Sequence, residues 1–98
     1  MARRKEHCDE CLAKLGRDWD EVHKWLDETA GWYWPYMAHR QIRHHTEGVE
    51  YCRQRWGPEA AQAAKLHILT DMAPFNIDYI PTPQQAVEFW GPLPVKGD

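Results

Sequence analysis

Apolar residues recur along this chain at steps of three and four, and no alternation of period two survives for long. The pattern predicts helices throughout. A first helix is expected over residues 4–15, with Cys8, Cys11, Leu12 and Leu15 as one stripe and Gly16 as its left-handed cap. Asp18, followed three residues later by Glu21, is a variant capping box. It predicts a second helix over about 19–29, where Trp19, Val22, His23 and Leu26 follow at helical spacing. "TAGWYWP" reads as a turn. Pro35 suits the first position of a third and longest helix, ended by Gly57-Pro58. Its seam is Ala38, Ile42, His45, Val49, Cys52 and Trp56.

Pro58 opens a fourth helix to about Met72, striped by Ala60, Ala64, His67 and Asp71. The alanines allow a neighbouring backbone to come close. "PFNIDYIPTP" wraps the bundle as a loop anchored by Phe75, Ile77, Tyr79 and Ile80. Thr82, Pro83 and Gln85 then suit N-cap, N1 and N3 of a short last helix, ended by Gly91-Pro92. The expected fold is all-α, a compact bundle of four main helices plus a short C-terminal helix, forming one domain over residues 1–98.

Composition changes this picture in three ways. With 98 residues the core is small, and six tryptophans supply much of its buried surface. The net charge of −3 argues against a general nucleic-acid coat protein. The "ARRKEH" patch at 2–7 is expected to be a solvated terminus. There is neither a membrane-length apolar run nor a signal-peptide pattern, so a cytoplasmic location is expected. Three cysteines do not make a disulfide scaffold, and "HCDEC" at 7–11 is only half of a thiolate zinc site. Cys8 and Cys11 are expected to be reduced and packed.

The chemistry lies in the histidines, five of six falling after residue 22. His23 and Asp27 lie one turn apart, as do His67 and Asp71, while His39, His44 and His45 cluster in "AHRQIRHH". Imidazole and carboxylate suit Zn²⁺, Mn²⁺, Fe²⁺ or Ni²⁺, and bundles build such sites from facing helices. An i,i+4 His/Asp pair on one face can chelate an ion, or the carboxylate can orient the imidazole. The bland counterpart is a buried histidine hydrogen-bonded to an Asp one turn away. His39 and His44 differ by about 140° around an ideal helix, so one ion can take both only on the edge between them. Arg40, one turn before His44, suits a phosphate or carboxylate. Arg43 suits a surface pair with Glu47. Trp19, Trp25, Trp32, Trp34 and Tyr36 are core candidates, with part of "WYWP" a candidate partner groove.

The segments "VHKWLDE", "AHRQIRHHTEGVE" and "AKLHILTDM" resemble a small uncharacterised bacterial and phage family of helical proteins, catalogued as a domain of unknown function. The resemblance covers residues 18–73 and points to His23, Asp27, His39, Arg40, His44, Gly48, His67 and Asp71. His45 lies outside that pattern and is expected to pack, and "HCDEC" departs from it. The His/Asp content is also similar to the HD-type metal-dependent phosphohydrolases, although their adjacent His-Asp dipeptide is absent.

Two functions are expected from these features. In the first, a divalent transition metal is held by His23, His67 and Asp71, completed by His39 or His44. It would serve a phosphoester hydrolase in which Asp27 orients His23 or acts as base and Arg40 holds a phosphate-containing small molecule or nucleotide. In the second, the His/Asp network is structural in a non-catalytic interaction or regulatory protein. A protein partner or homodimer would then engage the Trp/Tyr surface.

Overall fold

A computed structural model describes residues 4–28 and 40–90, and of Arg40 and Gln41 the backbone alone. The expectations for "TAGWYWP", Pro35, Ala38, His39, Trp32, Trp34, Tyr36 and Gly91-Pro92 fall outside these residues. The described elements are α1 (Arg4–Leu15), α2 (Asp20–Asp27), α3 (Arg40–Arg43), α4 (Thr46–Trp56), α5 (Pro58–Met72), a 3₁₀ turn (Ala73–Phe75) and α6 (Pro83–Trp90). No strand occurs among them. The all-α bundle of four main helices plus a short last one is the observed architecture.

α5 is the central element. α1, α2 and α4 all pack against it. Its small side chains explain this, since Ala60, Ala61, Ala63 and Ala64 are all buried and let neighbouring backbones approach. Leu26, Ile68 and Met72, each fully buried, fill the remaining space with Val22, Val49, Cys52 and Trp19. Gly57, at φ 103°, makes the sharp turn between α4 and α5, and Pro58 takes the first position of α5. At the C-terminal end Gln85 N–H donates to Thr82 Oγ1 at 3.2 Å and Thr82 N–H to Gln85 Oε1 at 3.0 Å, the expected capping box.

Four expectations are corrected. The second helix begins one residue later than predicted, because Trp19 adopts a left-handed conformation at φ 55°. Asp18 instead accepts from Asp20 N–H at 3.2 Å, and Glu21 pairs with Arg17 at 2.7 Å. On α1 the buried face carries His7 and Cys11, while Leu12 and Leu15 are 56% and 39% exposed. In the wrapping loop, Ile77 and Ile80 pack on the core, but Phe75 and Tyr79 stay exposed.

The fourth correction matters most. The predicted third helix is broken at His44–His45, between α3 and α4. His45 has extended backbone, at φ −153°, and caps α4: its Nδ1 accepts from Gly48 N–H at 3.2 Å. Its Nε2 donates to the Ile42 carbonyl at 2.7 Å. One imidazole thus satisfies the start of one helix and the end of another. Burial, the larger influence, holds its pKa below the ordinary value, so the neutral ring can play both roles. Gly48 makes the junction possible, because a Cβ there would overlap the carbonyl oxygen of Arg43.

Gly48→Ala is therefore expected to destabilise the fold by roughly 2–3 kcal/mol through steric overlap at a packed junction. For a domain this size that lowers the melting temperature by on the order of 10–20 °C. His45→Ala should cost about 1 kcal/mol, the worth of a helix cap. Unchanged melting in Gly48→Ala would show that α3 does not pack on α4 as described.

Candidate metal centre

The break in the third helix aims His44 inward. Free of helical periodicity, its ring turns into the space between α2 and α5. There it meets Asp27, from the last turn of α2, and His67 and Asp71, one turn apart on α5. His44 Nε2 lies 3.4 Å from Asp27 Oδ1 and 3.2 Å from Asp71 Oδ2. His67 Nε2 lies 3.3 Å from each of the same two oxygens. One donor atom from each of the four residues falls within 4.8 Å of all the others. His44, His67 and Asp71 are buried, whereas the Asp27 side chain is 24% exposed and faces the solvent edge.

His67 is held from behind. His23 Nε2 faces the Asp18 carbonyl at 3.0 Å, and a carbonyl only accepts, so that nitrogen carries a proton. Burial, and then the neighbouring His67 and His7, push the His23 pKa down to about 4, which keeps the ring neutral near pH 7. Its Nδ1 is therefore a bare acceptor, and the 2.9 Å contact to His67 Nδ1 is a hydrogen bond donated by His67. The Nε2 of His67 then faces two carboxylate oxygens, each at 3.3 Å, and a proton or a metal cation between them would satisfy the three atoms.

Asp71 is ionised. Burial alone would raise its pKa, but the imidazoles of His44, His67 and His7 outweigh burial and hold it below the ordinary carboxylate range. A buried anion of this kind needs paired positive charge. Asp27, His44, His67 and Asp71 form a His/Asp group positioned to hold a metal ion.

Several candidates move relative to expectation. The i,i+4 pair on α5 acts together, as the spacing implied. The pair on α2 divides: His23 backs His67, while Asp27 faces His44 and His67, so both nitrogens of His23 are engaged away from Asp27. His39 and the Arg40 side chain lie outside the described residues. Arg43 does not pair with Glu47. It donates to the Trp25 carbonyl at 2.7 Å, lies 3.5 Å from Glu28, and stacks on the Trp25 ring at 4.5 Å, closing the C-terminal end of α2.

Sequence reasoning missed His7. It is 1% exposed on α1, stacked on His67 at 3.7 Å between ring centres, with Nε2 3.3 Å from Asp71 Oδ1. His7, His23 and His67 form a second group of close imidazoles. The available signal was the i,i+4 spacing of His7 and Cys11, which marks the buried face of α1. "HCDEC" thus contributes its histidine, not its cysteines, to the cluster. Cys11 is fully buried, and Cys8 Sγ donates to Asp20 Oδ1 at 3.4 Å. Burial first, then nearby carboxylates, push Cys8 up to about 12 and Cys11 to about 11, and among the described residues neither thiol joins a group of close ligand atoms.

The fold and the site define an all-helical protein with buried His/Asp groups able to hold a metal ion, and among the described residues no helix is long and apolar enough to cross a membrane. The chain belongs to the family described as "Domain of unknown function (DUF6915)", whose model matches residues 2–82. Searches of curated proteins and of solved structures return no match.

Raised thiol pKa values make a direct expectation. At pH 8 Cys8 and Cys11 should react with iodoacetamide at least about a hundredfold more slowly than a free thiol, accelerating only at strongly alkaline pH. Replacing both by Ala should leave metal content unchanged. Fast alkylation at pH 8, or loss of bound metal in the double variant, would contradict the assignment.

Proposed function

We propose that this protein binds a divalent metal ion at His44, His67, Asp71 and Asp27, and that the ion ties α2, α5 and the α3–α4 junction together. The observation that carries this reading is the set of four nitrogen–oxygen separations, 3.2–3.4 Å. Charge-assisted hydrogen bonds run about 2.7–2.9 Å, and His67 Nε2 lacks hydrogen-bond geometry. Ligands about 2.0–2.1 Å from a tetrahedral ion lie about 3.3 Å from one another. Two imidazoles and two carboxylates in that geometry favour Zn²⁺ over ions that prefer octahedral oxygen cages. His23 serves as the residue that orients His67, through the bond that fixes its tautomer.

Four protein donors fill a tetrahedral ion, the arrangement of zinc sites that stabilise folds. A hydrolytic reading draws on one observation, the exposure of Asp27 at the rim. If Asp27 leaves the ion, it becomes a base beside an open position. A water oxygen would then bond to phosphorus, Asp27 would take the water proton, and the ester P–O electron pair would leave with the departing oxygen. Arg40 as a phosphate clamp, and partner binding through the "WYWP" tryptophans, are further proposals that rest on the sequence alone.

The metal reading is tested by thermal melting with elemental analysis. Zinc at a hundred times its dissociation constant stabilises by about 2.7 kcal/mol, so chelator should lower the melting temperature by on the order of 10–20 °C. His67→Ala should melt lower at the outset and respond little to chelator. Asp71→Asn should lose metal while keeping its helical spectrum, and His23→Leu should weaken zinc binding by roughly 10–100-fold. Wild-type protein that holds no Zn²⁺, Mn²⁺ or Ni²⁺ and melts identically with chelator would end the proposal. Turnover of bis(p-nitrophenyl) phosphate that disappears in Asp27→Asn, with metal retained, would support the hydrolytic reading; no turnover with the metal bound would remove it.

A further inference from the structure

The four-donor group uses only part of the buried cluster. His7 is 1% exposed, and among the described residues neither of its ring nitrogens has a partner in hydrogen-bond geometry. Such a group is costly to bury unless something meets it. Its Nε2 approaches Asp71 Oδ1 at 3.3 Å, whereas His44 and His67 approach the other oxygen, Oδ2. The His7 and His67 rings lie nearly parallel, 3.7 Å between centres and 16° between planes. Two stacked imidazoles thus bring their Nε2 atoms to the two oxygens of one carboxylate.

We propose that a second divalent ion binds between His7 Nε2 and Asp71 Oδ1, so that Asp71 bridges a two-metal centre. The inference rests on the four-donor reading above and extends it. The His7–Asp71 separation matches the ligand-to-ligand spacing of the first site and exceeds that of a charge-assisted hydrogen bond. A carboxylate shared by two ions is the arrangement of two-metal sites that transfer phosphoryl groups, whose ions lie roughly 3.5–4 Å apart. His23 is not a ligand of the second ion, because Asp18 and His67 engage both its nitrogens.

The two sites differ in donor number. The first is filled by four protein donors. Among the described residues the second has two, both buried, and its other positions are left to enclosed water. Two divalent ions against the carboxylates of Asp27 and Asp71 leave an excess of positive charge, which suits a small anionic oxygen ligand such as hydroxide. Manganese or ferrous iron, which accept oxygen ligands readily, fit the second position, with zinc in the first.

The test is metal stoichiometry. Metal-free wild-type protein is loaded with Zn²⁺ or with Mn²⁺, freed of excess by gel filtration and assayed by elemental analysis. Two ions per chain are expected in the wild type and one in His7→Ala and His7→Gln. The Mn²⁺-loaded wild type should give the electron paramagnetic resonance spectrum of a spin-coupled pair, and the His7 variants that of an isolated ion. One ion per chain in the wild type, or two in a folded His7 variant, overturns the second site and leaves the first standing. No ion in the wild type removes both. Should the His7 variants not fold, the wild-type stoichiometry and spin coupling decide alone.

Discussion

A carboxylate buried at the end of α5 sets the terms for this molecule. Asp71 is 5% exposed, and an anion so placed is tolerated only if positive charge or donors surround it. Desolvating an ion costs several kcal/mol, while a whole domain is stable by only about 5–15 kcal/mol. The centre around Asp71 is therefore comparable in energy to the net stability of the fold. Every neighbouring element answers it. α1 contributes His7, α2 contributes Asp27 and His23, and the α3–α4 junction contributes His44. α1 is tied to the same face of α5 by Thr70 Oγ1, which donates to Glu10 Oε1 at 2.6 Å.

The backbone irregularities follow from the same demand. A continuous helix from 40 to 56 would fix the direction of His44 by its period. Breaking it at His44–His45 frees that ring to turn inward, and the break is repaired locally by His45 and by the close approach that Gly48 permits. Thr46 N–H, left over at the new helix start, donates to the Pro81 carbonyl at 2.8 Å, which draws the wrapping loop onto the junction. Arg43, at the end of α3, closes α2 through the Trp25 carbonyl. A single interruption in a helix thus links the site to two other segments, the wrapping loop and α2.

The helices were legible because their signals are local. Gly16, Gly57-Pro58 and the Thr82–Gln85 box act within a turn of their own positions. The His67/Asp71 pair was legible for the same reason, being one turn apart on an alanine-lined face. The break was not, since His45 is an unusual cap and the apolar seam runs through it without a gap. His7 was missed because "HCDEC" draws attention to its cysteines, and the apolar count favoured Leu12 and Leu15 over the face that α5 covers. The separate fates of His23 and Asp27 depend on what α5 presents to each, a long-range fact that spacing alone does not carry. Membership of a family of unknown function names no reaction, so the chemistry has to be read from the donors themselves.

X-ray absorption at the zinc edge of the loaded protein reports which atoms touch the ion. Nitrogen and oxygen neighbours are expected at about 2.0–2.1 Å, with multiple scattering from two imidazole rings per zinc at the four-donor site and no sulfur. A sulfur shell at about 2.3 Å would assign the ion to the cysteines of α1, and a shell without imidazole scattering would place it on the surface; either would contradict a centre built around Asp71.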